Sequence, residues 1–266
     1  MRVFFANLKM NLKRGLQYRK SAISGMLTQL FFGFMQIALY KAFLSQGNSD
    51  FTIPQMASYI WLQQIFFMVF NFWDVAKQEI SQKIVNGDIA YQLIRPTDIH
   101  AYWFSINFSK PLGTFILRSL PLIVIALLLP VGTGLMIPVS IENFFMFLLA
   151  VVFGSLLVAA INTLSHVIVL YVSSSQGVFG FMSAVGLFCA GSVVPLPMLP
   201  KAVQTVLNFF PFRYVNDLPY RIYIGNINGT DALIQIAIQF SWFVLIYALG
   251  YLLTRLRLKK LVVQGG

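Results

Sequence analysis

Six long apolar runs constrain this chain more than any other feature. They lie at Ile23–Leu44, Pro54–Ala76, Pro111–Leu129, Phe144–Tyr171, Gly177–Val194 and Ala232–Leu253. A helix that crosses a membrane needs about 20 mostly apolar residues. Only 10% of the residues are charged, well below the roughly 25% of soluble domains. The sequence therefore predicts an all-α integral membrane protein with six transmembrane helices, forming a single polytopic domain over residues 1–266.

The basic residues avoid the apolar runs and predict the orientation of the chain. Fourteen of the 19 Lys and Arg residues lie in three patches, at Met1–Lys20, Lys77–Lys110 and Arg255–Lys260. Basic residues in short loops mark the cytoplasmic side, so we expect both termini to be cytoplasmic. The net charge of +11 lies at span ends, where lipid headgroups account for it. We therefore expect membrane lipid as a partner and no nucleic acid.

Residues 1–20 are typical of an amphipathic interfacial helix. Phe5, Leu8, Leu12 and Leu16 follow helical spacing, while the basic residues fall on other faces. Such a helix lies in the plane of the interface, with its apolar stripe in the lipid boundary. Two roles are open for it: a positively charged anchor, or a docking surface for a partner.

The connector at residues 77–97 is the most structured polar segment, and we call it the elbow. Its apolar spacing predicts a helix over Ile80–Val85, a turn at Asn86-Gly87-Asp88 and a second short helix over Ile89–Leu93. A helical elbow below a membrane span can insert into a groove on a soluble protein and transmit force. The alternative is an amphipathic loop that lies on the membrane.

The fifth run is interrupted by glycines and ends at a proline-rich segment. Four glycines fall between residues 177 and 191, and prolines follow at 195, 197 and 200. Broken backbone at membrane depth needs protein or a cavity around it. We expect a re-entrant or outer-leaflet hairpin at residues 195–231. A simple outer loop is the alternative, although it would expose aromatic residues such as Phe209, Phe210 and Tyr220 to water.

No catalytic or metal-binding set is found in the sequence. The phosphate-binding pattern G-x-x-x-x-G-K-[ST] is absent, as are H-E-x-x-H and G-x-S-x-G. We therefore expect neither an enzyme nor a cofactor bound by this chain. Ionisable and polar residues inside spans are candidates for a translocation route or for helix contacts. They are Gln63, Asn71, Asp74, Arg118, Asn162 and His166. Arg118 either pairs with Asp74 or extends to the inner headgroups.

Several motifs resemble those of ABC-type-2 exporter permeases. They are the pairs Gly191/Pro195 and Leu199-Pro200, the segment Phe210–Tyr214, the set Pro219/Tyr223/Gly225, and the inner segment Asn86–Pro96. The closing L-V-V-Q-G-G is similar to the subgroup in which two related permeases share one ATPase. The resemblance covers nearly the whole chain.

This resemblance implies a permease that moves a hydrophobic or amphipathic compound, such as a drug, antibiotic, peptide or lipid, out of the cell. ATP and Mg²⁺ would be bound by a separate soluble ABC ATPase, and a second permease, identical or related, would complete the transporter. The elbow residues expected at the ATPase are Glu79, Ile80, Lys83, Ile84, Gly87, Asp88, Ile89 and Leu93. Those expected at an outer gate are Pro195, Pro197, Pro200, Phe210 and Pro211. An integral membrane enzyme, or a secondary transporter independent of an ATPase, is the alternative.

Overall fold

The computed structural model describes residues 2–17, 19–44, 51–70, 72, 79–94, 97–172 and 174–259. Within these ranges the chain forms α-helices and one short 3₁₀ helix, Leu196–Met198, and no strand. The α-helices are α1 Arg2–Gln17, α2 Arg19–Leu44, α3 Ile53–Phe66, α4 Glu79–Val85, α5 Ala90–Leu93, α6 Ile99–Leu128, α7 Ile141–Val172, α8 Ser175–Cys189, α9 Lys201–Leu207, α10 Arg213–Tyr223 and α11 Gly229–Leu258. The all-α prediction is confirmed.

Four helices in the described residues are long and apolar enough to cross a membrane. They are the Ala22–Phe43 part of α2 and the whole of α6, α7 and α11. The count of six spanning helices is not confirmed, because α3 has 14 residues and α8 has 15. At 1.5 Å per residue these two helices are about 21–23 Å long, shorter than the roughly 30 Å hydrocarbon core.

The second apolar run is not one continuous helix through Ala76. Helix α3 begins with a capping box between Thr52 and Gln55 and gives way to turns at residues 67–70. The Ser119 hydroxyl donates a 2.6 Å hydrogen bond to the Ile65 carbonyl. The amide of Val69, which would reach that carbonyl in a helix, donates to the Phe66 carbonyl instead. A tertiary contact therefore accompanies the end of this helix.

Helix α6 begins 12 residues before the predicted start at Pro111. Asp98 caps it by accepting a 2.8 Å hydrogen bond from the Ala101 amide. The additional N-terminal turns pack against α1. Pro111 therefore lies inside the helix rather than at its beginning.

Helix α1 covers most of the predicted residues 1–20, and it buries a polar face. Asn7 donates to Ser105 and Asn11 donates to Ser109, each over 2.7 Å. The constant offset of 98 residues means that α1 runs parallel to the first half of α6. Phe5, from the predicted apolar stripe, is 62% exposed. Leu8 and Leu12 of the stripe are half-buried, so the polar contacts of Asn7 and Asn11 add to the packing of the stripe against α6.

Helix α7 lies at the centre of the packing. It contacts α4, α6, α8, α10 and α11, and most of its second half is buried. Helix α10 packs on α7, α3 and α11 and is buried at nearly every position. The chain thus places α4 near the C-terminal end of α7 and α10 along its N-terminal half, which defines two regions of functional interest.

Candidate functional site

The elbow has the predicted helix–turn–helix form in its described residues, 79–94. Helix α4 is followed by a turn in which Gly87 has a φ of +81°, a conformation that favours glycine. The Ile89 amide then donates to the Lys83 carbonyl over 3.1 Å, and α5 begins at the next residue. The Asn86-Gly87-Asp88 sequence therefore correctly predicts a turn, with Gly87 at positive φ.

One side of the elbow is fixed inside the protein. Ile80 and Ile89 are buried in an apolar cluster that also contains Ile99, Trp103, Val167 and Leu170. The Gln92 side chain accepts a 3.0 Å hydrogen bond from the Trp103 indole. Of the predicted docking residues, Ile80 and Ile89 therefore anchor the elbow and are not available to a partner.

His166 is the buried polar contact between α7 and the elbow. Its Nδ1 lies 3.1 Å from the Ser81 hydroxyl, and both side chains are buried. The imidazole also packs edge-on against Phe179 of α8, with the Trp103 ring of α6 beside it. Four helices, α4, α6, α7 and α8, thus meet around one side chain. The sequence singles out His166 but gives no sign of its contact with Ser81.

The other side of the elbow is open. Glu79, Gly87, Asp88 and Leu93 are exposed, and Lys83 and Ile84 are half-buried. Two apolar residues outside the predicted set are also exposed, Tyr91 at 73% and Ile94 at 79%. No sequence signal marks their exposure, because Ile89 in the same short segment is equally apolar and is buried.

Two charges on this open side are paired with each other. Lys83 Nζ lies 2.5 Å from a Glu79 carboxylate oxygen. This hydrogen bond lowers the pKa of the Glu79 carboxyl, and the charges of Arg14 and Lys110 add to the effect. The elbow therefore carries an ionised Glu79 at neutral pH, next to basic residues from α1 and α6.

The second region is a buried ionic network on α10 that the sequence analysis missed. Asp217 accepts a 3.0 Å hydrogen bond from the Tyr59 hydroxyl and a 3.2 Å bond from Arg213 Nε, and Arg221 lies 3.6 Å away. Arg213 also donates to Gln235 of α11 over 2.9 Å. The i, i+4 spacing of Arg213, Asp217 and Arg221 is a sequence signal that could have identified this network.

The broken segment before α10 is tied to the same region. Helix α8 ends in two hydrogen bonds typical of a Schellman motif, from Gly191 and Ser192 back to Phe188 and Leu187, with Gly191 at a φ of +77°. Gln63 donates to the carbonyls of Gly191 and Ser192, and Asn216 donates to the Ser192 hydroxyl. Side chains from α3 and α10 therefore hold the chain where α8 ends.

The predicted gate residues occupy different environments. Pro195 is buried, Pro197 and Pro211 are half-buried, and Pro200 and Phe210 are exposed. Phe209 is also exposed, whereas Tyr214 and Tyr220 are buried. The segment at residues 195–231 therefore covers some of its aromatic residues against α3 and α7 and leaves others on the surface.

The predicted route residues contact different elements. Gln63 binds the segment after α8, and His166 binds the elbow. The Arg118 guanidinium lies against Gly25 of α2 and donates to the Met68 sulfur over 3.2 Å. Asn162 is buried in α7, and Asn71 and Asp74 lie outside the described residues. Within those residues no group of three His, Cys, Asp or Glu side chains could hold a metal ion.

Comparison with known proteins agrees with the resemblance seen in the motifs. The family model described as ABC-2 family transporter protein matches residues 26–265. No curated protein gives a significant match.

Proposed function

Because the chain belongs to the ABC-2 transporter family, in which this subunit is a membrane transport component and hydrolyses no ATP itself, we propose that it is the permease subunit of an ATP-driven exporter. ATP and Mg²⁺ are bound by a separate ABC ATPase. The compound exported is hydrophobic or amphipathic. The permease resides in the plasma membrane of a bacterial cell, with both termini in the cytoplasm.

The observation that carries this proposal is the two-sided character of the elbow. The side of the elbow that packs on the protein is anchored by Ile80, Ile89 and the Ser81–His166 contact. The opposite, open side exposes Tyr91, Ile94 and Asp88. A segment fixed on one side and apolar on the other suits a partner that pushes on it, because exposed apolar residues favour burial at an interface.

The proposed mechanism uses the elbow as the input for force. Closure of the ATPase subunits moves α4, and the contacts of Ser81, Ile80 and Ile89 carry that movement to the inner end of α7. Because Trp103 and Phe179 pack against His166, α6 and α8 respond together with α7. The permease thus shifts between inward-open and outward-open states, as a two-state element biased by its ligands.

The segment from Pro195 to Tyr214 is the proposed outer gate. Its support is the set of contacts at residues 191–192, where Gln63 of α3 and Asn216 of α10 hold the chain. The buried network around Asp217 fixes α10 on the other side of this segment. A movement of α8 relative to α3 would therefore be passed to the gate.

A second permease, identical or related, completes the proposed transporter. An open groove of about 610 Å³ runs along α8 and is lined mainly by apolar residues that include Phe179, Leu187, Phe188 and Val193. All of its lining belongs to α8 and the segment directly after it, so another surface is needed to enclose it. An apolar substrate could pass between two such surfaces.

Co-purification tests this proposal with a matched pair of substitutions. Ile94 and Ile137 are 79% and 78% exposed, and they lie in predicted inner and outer connectors respectively. We expect Ile94→Ser to reduce the amount of ATPase that co-purifies with the permease, whereas Ile137→Ser leaves it unchanged. Equal recovery with both variants would remove the elbow from the ATPase interface.

Reconstitution distinguishes the exporter from the two alternatives. In vesicles that contain the permease and its ATPase, export should need hydrolysable ATP. Transport by the permease alone, driven by an ion gradient, would establish a secondary transporter. Chemical conversion of a lipid or other membrane compound by the permease alone would establish an enzyme.

A further inference from the structure

A small polar cleft lies between the elbow and the N-terminal helix. Its walls come from α1, α4, α5 and α6, and it has a volume of about 100 Å³. Asn7 and Asn11, which line it, are held by their hydrogen bonds to Ser105 and Ser109. The cleft therefore has ordered walls, and it is distinct from the apolar groove along α8.

The charge in this cleft is unbalanced. Arg14, Lys83 and Lys110 line it together with one carboxylate, that of Glu79, which leaves a net formal charge of +2. Glu79 is engaged by Lys83 at 2.5 Å. Neither Arg14 nor Lys110 forms an ion pair with any residue that the structure describes. In the described lining of the cleft, three basic side chains thus share the single carboxylate of Glu79, a favourable setting for an anion.

The surroundings of the cleft favour an anion carried by a lipid. Phe5 and Met10 of α1 are exposed apolar residues, and Met10 lies on the rim of the cleft itself. The space accommodates a compact group such as a phosphate but not acyl chains, which would lie along the exposed apolar side of α1. An acidic side chain of a soluble protein would not need that apolar surface.

We propose that Arg14, Lys83 and Lys110 bind the phosphate of an anionic lipid headgroup from the leaflet in which α1 lies. The lipid holds α1, α4 and α6 together at the base of the elbow. This inference needs only that the chain resides in a membrane, so it is independent of the direction of transport and of the substrate.

Lipid binding to the purified full-length permease tests the proposal. Binding of fluorescent phosphatidylglycerol is measured in detergent micelles, in competition with unlabelled phosphatidylglycerol, phosphatidylcholine or inorganic phosphate. We expect phosphatidylglycerol to compete and phosphatidylcholine not to compete. Competition by inorganic phosphate as strong as that by phosphatidylglycerol would mean that the cleft takes free phosphate, and would overturn the lipid assignment.

A charge-matched pair of double variants locates the site. Each basic residue near an anionic lipid strengthens binding about fivefold, so Arg14→Gln with Lys110→Gln should weaken phosphatidylglycerol binding by about 25-fold. The control is Lys9→Gln with Lys13→Gln, which removes the same charge from positions of α1 outside the cleft. If both double variants lost phosphatidylglycerol binding equally, general surface charge would explain the binding, and a specific site in the cleft would be refuted.

A single charge reversal adds an independent check. Lys110 is exposed, so Lys110→Glu should leave the helical content of the lipid-free protein unchanged. It should nevertheless abolish the preference for phosphatidylglycerol over phosphatidylcholine. A retained preference in this variant would contradict the proposal.

Discussion

The Ser81 hydroxyl lies 3.1 Å from Nδ1 of His166, and this buried contact joins the elbow to the central helix α7. Around it, Trp103 and Phe179 bring α6 and α8 to the same place. The elbow is thus a part of the helix packing and not a loop lying on its surface. Substitutions at the elbow and at the buried network on α10 should therefore have distinct effects.

Ser81→Ala should weaken the coupling of the elbow to the membrane helices. The substitution leaves His166 Nδ1 buried without its partner, which costs about 1–3 kcal/mol. We expect the permease to retain its ATPase, while ATP hydrolysis by the assembled complex falls. The control is Ser241→Ala on α11, where an exposed hydroxyl only donates to the Ala237 carbonyl. Unchanged hydrolysis in Ser81→Ala would show that this contact carries no force.

Gly87→Ala should disturb the turn of the elbow. Residue 87 has a positive φ with open space around it, so the cost is backbone strain of about 1–2 kcal/mol rather than a clash. Gly229 is a matched position, since it too has a positive φ and open space where a β-carbon would be added. Both substitutions should lower thermal stability by a similar amount. Only Gly87→Ala should reduce ATPase binding in a pull-down assay, and a similar reduction with Gly229→Ala would contradict the role of the turn.

Asp217→Asn should strongly destabilise the permease. It leaves the buried Arg213 and the largely buried Arg221 without their carboxylate, and breaking a buried ion pair costs about 3–5 kcal/mol. Thermal unfolding of the purified protein measures the effect. Asp231→Asn provides the comparison, because Asp231 is exposed in the first turn of α11 and should change stability by less than about 0.5 kcal/mol. Similar unfolding of the two variants would argue against the network.

Cysteine cross-linking should verify that α1 runs beside α6. Because Cys189 is the only native cysteine, a Cys189→Ser background is free of thiols. Asn7→Cys with Ser105→Cys replaces two side chains that are hydrogen-bonded at 2.7 Å, and we expect a disulfide to form on mild oxidation. Asn7→Cys with Ser119→Cys should not cross-link, because Ser119 contacts α3 instead. The reverse pattern of cross-linking would place α1 elsewhere.

Much of the elbow could be predicted from its sequence, because its signals are local. The Asn86-Gly87-Asp88 turn needs only a glycine that tolerates positive φ, and the flanking helices follow from their apolar spacing. The end of α8 near Gly191 is local in the same sense. The end of α3 was not predictable, since no proline or glycine marks it. There the Ser119 hydroxyl, 54 residues away in sequence, binds the Ile65 carbonyl.

For the site residues, too, the sequence predicts the local properties but not the tertiary contacts. The sequence identifies Ile80 and Ile89 as apolar but cannot say that they face the protein, while Tyr91 and Ile94 face outward. It marks Gln63, Arg118 and His166 as polar residues in apolar runs, which singles them out whatever their partners are. Their partners, at residues 191–192, at Gly25 and at Ser81, are far away along the chain and become visible only when the helices pack.

The sequence by itself identifies a helical membrane protein of the ABC-2 family. It can do so because apolar runs, turn residues and motifs are properties of neighbouring positions. The packing of the helices settles where α3 ends, which side of the elbow is open and which cations converge at the cleft beside α1. It also settles that Asp217 is shared by Tyr59 and two arginines. Hydrogen bonds and charges act over a few ångströms in space, so their partners are fixed by how the helices pack and not by separation along the chain.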